Sequence, residues 1–297
     1  VLVAEVLAYL RPERGGVYFD GTVGAGGHAA ALLGAGASVV IGVDQDVEAL
    51  AVAGRRLERF GDRVRLVHAS FADAAASVSE PLAGALLDLG VSSHQIDVPE
   101  RGFSFRPGTP LDMRMDATSG VPTAADLLNE LDEAALAAIF YRYGEERRSR
   151  RLAAAVVRRR GEAPFRTSDD LNAVLERFYG ARITVQDRAR IYQSLRIAVN
   201  DELAVLERGL EALREALSAG GVFVVLSYHS LEDRLVKDAF REWSRSCVCP
   251  PALPVCRCRG RALGETLTRK PVVAGAAEVG ANVRARSARL RAWRKAA

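Results

Sequence analysis

The sequence has no apolar run approaching the roughly 18 residues that cross a bilayer, and residues 1–20 carry no basic-then-apolar export signal. Low-complexity tracts are also missing. Of the 297 residues, 49% are hydrophobic and 26% charged, which excludes disordered and collagen-like readings. These absences set the expectation of a soluble, cytoplasmic protein with no membrane partner, built as one large domain or two smaller ones. The chain opens at Val1 rather than at Met, so preceding residues are expected in the natural protein. Cysteine is scarce. All four fall at Cys247, Cys249, Cys256 and Cys258, with Pro250, Pro251 and Pro254 between them. A C-x-C spacing is tighter than the usual C-x2–4-C of zinc sites. The clustering leaves a structural zinc open, but reduced thiols or a disulfide in a surface loop are expected ahead of it; no metal site is assigned, and no catalytic role is expected.

Net charge is only +4, but its distribution is lopsided. From Arg234 onward there are 15 Lys and Arg against 4 Asp and Glu, a balance of +11, leaving 26 against 33, or −7, for residues 1–233. A basic terminal segment on an otherwise acidic chain points to a polyanion partner, or to a solvated Arg-rich face.

The first third alternates strands and helices. Val17-Tyr18-Phe19 is a short β-type run ending at Asp20, followed by the glycine-rich stretch Gly21–His28 and a helix over Ala29–Leu33. Ser38–Val43 is a second buried strand ending at Asp44, and Asp46–Arg59 is helical. Arg63–Val67 is a third strand, and Leu82–Leu87, ending at Asp88, a fourth. In an open parallel sheet, ligands bind outside the carboxyl ends of the strands. Asp20, Asp44, Phe71 and Asp88 should therefore converge on one crevice.

Gly24-x-Gly26-x-x-Ala29, with Asp44 twenty residues after Gly24, satisfies a loose dinucleotide fingerprint in which the acid bonds ribose hydroxyls. Two features favour S-adenosylmethionine over a nicotinamide cofactor. Asp20 ends the first strand where it could meet an amino group, and Gly26-Gly27 brings bare backbone close to a ligand with no pyrophosphate to cradle.

After Asp88 the alternation stops. Nearly 30 residues of irregular, polar sequence, through Arg101–Phe105 and Pro110–Asp116, indicate a functional loop. A helix is expected from Asp132 toward Gly161 and another from Thr167 or Ser168 through Phe178. A long one, Val185 to Leu217, carries Ile191, Leu195, Val199, Leu203, Leu206, Leu210, Leu213 and Leu217 on one face and ends at Gly220-Gly221. Val222–Leu226 is a fifth buried strand. The expected organisation is a sheet domain over 1–107 and 204–297, the latter carrying the basic segment, with an inserted helical domain over 108–203.

With Ser227-Tyr228-His229-Ser230-Leu231-Glu232-Asp233-Arg234 after the fifth strand, the chain resembles the bacterial RsmH/MraW family along its whole length. The matching strings include Asp20-Gly21-Thr22-x-Gly24-x-Gly26-Gly27-His28, Asp88-Leu89-Gly90-Val91-Ser92-Ser93-x-Gln95-x-Asp97, Pro110–Asp116, Tyr143–Arg147, Leu195-Arg196-Ile197-x-Val199-Asn200-x-Glu202-Leu203 and Asn282-x-Arg284-x-Arg286-Ser287. Where the family carries Lys-His-Pro-Ala-Thr-Arg, this chain has Val185–Arg190, and only Arg190 carries over.

The resemblance implies a class I S-adenosylmethionine-dependent methyltransferase: a Rossmann-like α/β sheet with helices on both faces and an inserted helical domain. Its reaction would be N4 methylation of a cytosine in 16S ribosomal RNA, within the small ribosomal subunit, by a monomer or homodimer. It implies cofactor contacts at Gly26, Gly27, His28, Asp44, Phe71, Asp88 and Gln95. Methylating an exocyclic amine needs alignment and a proton acceptor, not a covalent intermediate. Asp88 is the first candidate for that role; Asp112, Asp116 and His229 follow. RNA phosphates would be met by Arg147, Arg148, Arg150, Arg151 and Arg158–Arg160, and by the basic terminus from Arg284 to Lys295. The rival readings are a nicotinamide oxidoreductase and a non-catalytic RNA-binding protein.

Overall fold

The computed structural model describes residues 1–250, 255 and 257–297, with backbone alone at Ser93 and His94. The chain divides into two compact units, one formed by Val1–Gly90 with Leu203–Ala297 and the other by Val91–Glu202.

The first unit is built on one sheet. Its strands are β1 (Val17–Asp20), β2 (Val39–Asp44), β3 (Val64–His68), β4 (Leu82–Asp88), β5 (Leu217–Ser227), β6 (Gly264–Thr266), β7 (Val272–Val273) and β8 (Arg289–Lys295). They run in the order β3-β2-β1-β4-β5-β8-β6, and β7 also pairs with β8. The strands from β3 to β5 are parallel to one another, whereas β8 is antiparallel to β5, with Phe223 opposite Trp293.

Because side chains alternate across a strand, each central strand feeds two cores. Tyr18, Val40, Leu86 and Val224 pack on one face with α1 (Val3–Leu10), α2 (Gly27–Gly34) and α3 (Val47–Leu57). Phe19, Ile41, Leu87 and Val225 pack on the other with α4 (Phe71–Ala76), α11 (Glu202–Ala216) and α12 (Ser230–Trp243). Near-continuous apolar runs such as Leu82–Leu87 are what a parallel strand covered on both faces requires.

The second unit is helical: α5 (Ser93–Asp97), α6 (Ala124–Glu130), α7 (Glu133–Arg142), α8 (Ser149–Arg160), α9 (Ser168–Tyr179) and α10 (Val185–Asn200). Leu128, Phe140, Leu152, Val156, Leu171, Ile191 and Leu195 form its core. Side-chain oxygens cap several starts. Thr123, Thr167 and Thr184 each form a capping box with an aspartate three residues on, and Asp132 caps α7.

Three expectations are corrected. The periodic stretch from Val185 is two helices, because Asp201 adopts a left-handed conformation at φ 48° and ends α10. Leu217 and Gly220-Gly221 already belong to β5, not to a helix end. The helix drawn from Asp132 toward Gly161 is likewise broken, between Arg142 and Ser149, at Glu145 with φ 49°. The unit boundary falls at Gly90 rather than after residue 107. Residues 91–107 are tied to the helical unit: the Met113 amide donates to Arg101 O, Asn172 Nδ2 donates to Phe105 O, and Phe103 and Phe105 pack on its core. The small C-terminal helix α13 (Ala276–Ala281) completes the first unit.

Candidate functional site

The strand order reverses between β2 and β4 on either side of β1, and at such switch points the loops leaving the carboxyl ends splay apart to leave a crevice. Asp20, Asp44 and Asp88 end β1, β2 and β4 there. The loop after β1 is laced across these ends. The Gly21 amide donates to Leu86 O, Val23 to Val43 O, and Gly24 to Asp44 Oδ2 at 2.8 Å. Thr22 Oγ1 accepts from the Asp88 amide at 2.6 Å. Gly26, at φ 77°, turns the chain into α2 in a conformation that favours glycine. A side chain at Gly27 would meet only the Arg56 guanidinium, at 3.6 Å, so the backbone at Gly27 stands open to a ligand.

The electrostatics of this crevice are unbalanced. Asp20 is fully buried, its Oδ2 has no hydrogen-bond partner, and its Oδ1 has only a long 3.4 Å bond from the Thr22 amide. Burial raises its carboxyl to about 7; His28 opposes that shift, while the charges of Asp88 and Asp44 add to it. Burial also raises Asp44, against the amides of Asp46 and Gly24 that bond its two oxygens. His28 is 9% exposed with Nε2 3.3 Å from Asp88 Oδ2, yet neither ring nitrogen is aligned for a hydrogen bond. Asp88 Oδ1 accepts the Tyr228 hydroxyl at 2.7 Å. Burial, and then the Asp88 charge, push that phenol upward. Asp20 and Asp88 beside one histidine, with the Asp44 charge near Asp20 and a buried oxygen left over, suit a cationic ligand. An S-adenosylmethionine cofactor, with its ammonium, sulfonium and ribose hydroxyls, fits this donor and charge set.

The structure brings Gly26, Gly27, His28, Asp44 and Asp88 to this crevice. Phe71 is placed differently. It starts α4 at 7% exposure in the sheet core, and its ring lies so close to Gly209 that a Cβ there would stand 2.4 Å from it. Its ring packs in the sheet core against Gly209 of α11. Gln95 is 4% exposed within the helical unit, where its Oε1 accepts the Ser92 amide at 2.9 Å.

Asp112 is held by Arg114 at both oxygens, 2.9 and 2.8 Å, and by the Arg114 amide at 3.0 Å. Burial alone would raise its carboxyl, but the bonds from Arg114 hold it below the usual range, a poor setting for proton acceptance. Asp116 anchors its own turn through the amide and hydroxyl of Thr118. His229 is the N-cap of α12, with Nδ1 accepting from the Glu232 amide at 3.4 Å and Nε2 lying 3.0 Å from Glu232 Oε1.

Tyr228 is the partner the sequence did not single out, although it lies inside the quoted Ser227–Arg234 string. Only its 2.7 Å bond to Asp88, 140 residues away, marks it. Other strings act as struts. Asn200 clamps the 113–115 turn by donating to Met113 O and accepting from the Met115 amide. Arg190 donates to Gly144 O and pairs with Asp187.

The basic terminus is not a free tail. Arg289–Lys295 is strand β8, and Arg291, 7% exposed, forms a two-pronged pair with Asp233. Arg289 joins that pair, Arg294 meets Glu265, and Lys295 donates to the carbonyls of Glu215 and Leu217. In the helical unit Arg159 pairs with Asp170, Arg160 caps the carbonyls of Leu128 and Leu131, and Arg148 lies over Phe178. Arg147, Arg150, Arg151 and Arg158 stay exposed with no partner among the described residues.

A parallel β3-β2-β1-β4-β5 order closed by an antiparallel strand, with a glycine loop after β1 and an acid ending β2, defines a class I S-adenosylmethionine-dependent methyltransferase. The chain belongs to the MraW methylase family, whose model matches residues 1–296. It is 52% identical, over all of its length and 94% of the relative's, to a protein of Gemmatimonas aurantiaca named ribosomal RNA small subunit methyltransferase H. A protein of the same name from Geotalea uraniireducens is 50% identical over 99% of this chain and 97% of its own. Among solved structures, an rRNA methylase from Streptococcus thermophilus aligns at TM-score 0.46 and 11% identity, over 100% of this chain and 98% of that one. Among the described residues no helix is long and apolar enough to cross a membrane.

Proposed function

We propose that this chain transfers a methyl group from S-adenosylmethionine to the exocyclic N4 amine of a cytosine in 16S ribosomal RNA, by direct in-line displacement. The observation that carries the reading is the acidic crevice at the ends of β1, β2 and β4, with Asp20 Oδ2 buried and unpartnered. The curated relatives' shared name supports small-subunit ribosomal RNA as substrate. When bound, S-adenosylmethionine supplies the electrophilic methyl group on a sulfonium.

The protein's own residues do the rest. Asp44, fixed by two backbone amides, keeps lone pairs for the ribose hydroxyls. The Gly26-Gly27 backbone would hold the methionine end, and Asp20 and His28 would meet its charged group. Asp88 is held from two sides, by Tyr228 on Oδ1 and by Thr22 on its amide. It orients the cytosine amine and takes its proton; for an amine, alignment and proton removal are the two demands. Asp112, already bound by Arg114, shapes the loop, and His229 stands next to Asp88 in priority. Gln95 and Phe71 serve the cofactor through the resemblance alone.

Arg147, Arg150, Arg151 and Arg158 would hold phosphates, which sets the position of the RNA rather than the choice of base. The reaction takes place on the small ribosomal subunit, in the cytoplasm, and the enzyme is a monomer or homodimer. Calorimetry with S-adenosylmethionine, and methylation of subunits lacking the mark with mass analysis of the released nucleosides, provide the test. Micromolar cofactor binding and N4-methylcytidine are expected. Absence of both in folded protein, or a methyl group on a different atom, would overturn the assignment.

A further inference from the structure

Between α12 and β6, from Ser244 to Leu263, the chain leaves the sheet in an excursion that holds no helix or strand among its described residues. Its base is closed. The Leu263 amide donates to Trp243 O at 2.8 Å, the hydroxyls of Ser244 and Thr266 meet at 2.9 Å, and Arg259 reaches back to the carbonyls of Glu242 and Arg245. Beyond the base, Val255 is 66% exposed. A loop of this length whose described residues form no helix or strand calls for a fixed point.

The cysteines supply one. Cys247 and Cys249 lie on the outgoing arm and Cys258 on the returning arm, and their sulfur atoms all fall within 4.8 Å of one another. The sulfurs of Cys247 and Cys258 are 3.9 Å apart. A disulfide would hold them at about 2.05 Å. Two corners of a tetrahedron with bonds of about 2.3 Å lie about 3.8 Å apart, which is close to the separation observed.

Backbone amides also point at the sulfurs from across the hairpin. The Val248 N–H donates to Cys258 Sγ at 3.3 Å and the Arg257 N–H to Cys249 Sγ at 3.4 Å. These bonds tie each arm to a sulfur of the other.

We propose that Cys247, Cys249 and Cys258 bind a structural zinc ion that clamps the two arms of this loop together. The C-x-C spacing argues against zinc only if each arm must form its own knuckle. Here each amide–sulfur bond runs from one arm to the other, so the separation within an arm is not the governing constraint. An all-thiolate set selects a soft, tetrahedral cation, and zinc is the one that carries no redox chemistry. Cys256, the sequence's remaining cysteine, lies outside the described residues.

The test is metal analysis of the full chain, purified reduced and without chelator, followed by replacement of the metal with cobalt(II). We expect about one zinc per chain, the ratio a single site sets, and an intense near-ultraviolet thiolate-to-cobalt charge-transfer band with the strong visible absorption of tetrahedral geometry. Cys247→Ser, Cys249→Ser and Cys258→Ser should each remove that band and weaken zinc by more than the roughly 10–100-fold lost with a mere supporting hydrogen bond. Chelation of the wild type should open residues 244–263 to limited proteolysis while far-ultraviolet circular dichroism stays constant. A reduced wild-type chain that holds no zinc and gives no cobalt band overturns the proposal. So does a disulfide found among these cysteines in freshly lysed cells, or full zinc retention by any of the three variants. Should a variant fail to fold, the cobalt titration of the wild type decides alone.

Discussion

Asp20 should cost the ligand-free protein stability and return it on cofactor binding. Its carboxyl is raised from 3.8 to about 7, chiefly by burial. Between those values the folded chain keeps a proton that the unfolded chain has lost, so the folded state binds more protons and stability falls as pH rises. Each tenfold difference in proton affinity is worth about 1.4 kcal/mol, so the loss totals about 4 kcal/mol by neutral pH and is constant above it. Below pH 3.8 both states hold the proton and the contribution vanishes.

Asp20→Asn removes the titration with little change of shape. Urea unfolding at pH 5 and pH 8 should show the variant losing less stability than wild type between the two, and surpassing wild type at pH 8 by an amount on the order of 2–4 kcal/mol. Calorimetry should show the opposite for the ligand. A cationic ligand draws the proton off Asp20, so wild-type affinity for S-adenosylmethionine rises from pH 6 to pH 8. The variant binds about 1–3 kcal/mol more weakly at pH 8 and has lost the slope. A variant less stable than wild type at pH 8, or one that keeps the pH-dependent affinity, would refute the placement of Asp20 as a buried partner of the cofactor's positive charge.

Tyr228→Phe removes the hydroxyl bonded to Asp88 Oδ1; single-turnover methylation should slow about 10–100-fold, the worth of one hydrogen bond to a charged group, with cofactor affinity changed far less. An unchanged rate would make Tyr228 packing alone. Reversing Arg151 and Arg158 to Glu should flatten the slope of log RNA affinity against log salt by at least roughly 0.7–0.9 for each phosphate no longer neutralised, and an unchanged slope would take α8 out of the interface. Arg291→Ala leaves Asp233 buried without its main partner and should destabilise the fold by about 3–5 kcal/mol in chemical denaturation, with recovery when Asp233 is also replaced by Leu. A loss under about 1 kcal/mol would place the pair among solvent-screened surface ion pairs.

The sequence by itself determined the alternation of β1 to β4, the acids at their ends and the glycine turn. These rest on local requirements: apolar runs for strands covered on both faces, a positive φ at Gly26, an oxygen cap at Asp132. It also carried the family, because long strings such as Asp88–Asp97 leave little room for chance. It misjudged the stretch from Val185 to Leu217, since apolar spacing continues in phase through a single left-handed residue, Asp201, and periodicity does not register one φ angle. The basic terminus was only partly legible for a related reason. Charge counted along the chain says nothing of partners, and Arg291 found its partner 58 residues upstream, at Asp233. Phe71 packs against Gly209, 138 residues on, a neighbour that local sequence does not indicate. Tyr228 on Asp88, the three sulfurs of Cys247, Cys249 and Cys258, and the unpartnered oxygen of Asp20 were decided by tertiary structure alone. Each depends on distances between residues far apart in the chain or on how completely water is excluded, and neither quantity is written in local sequence.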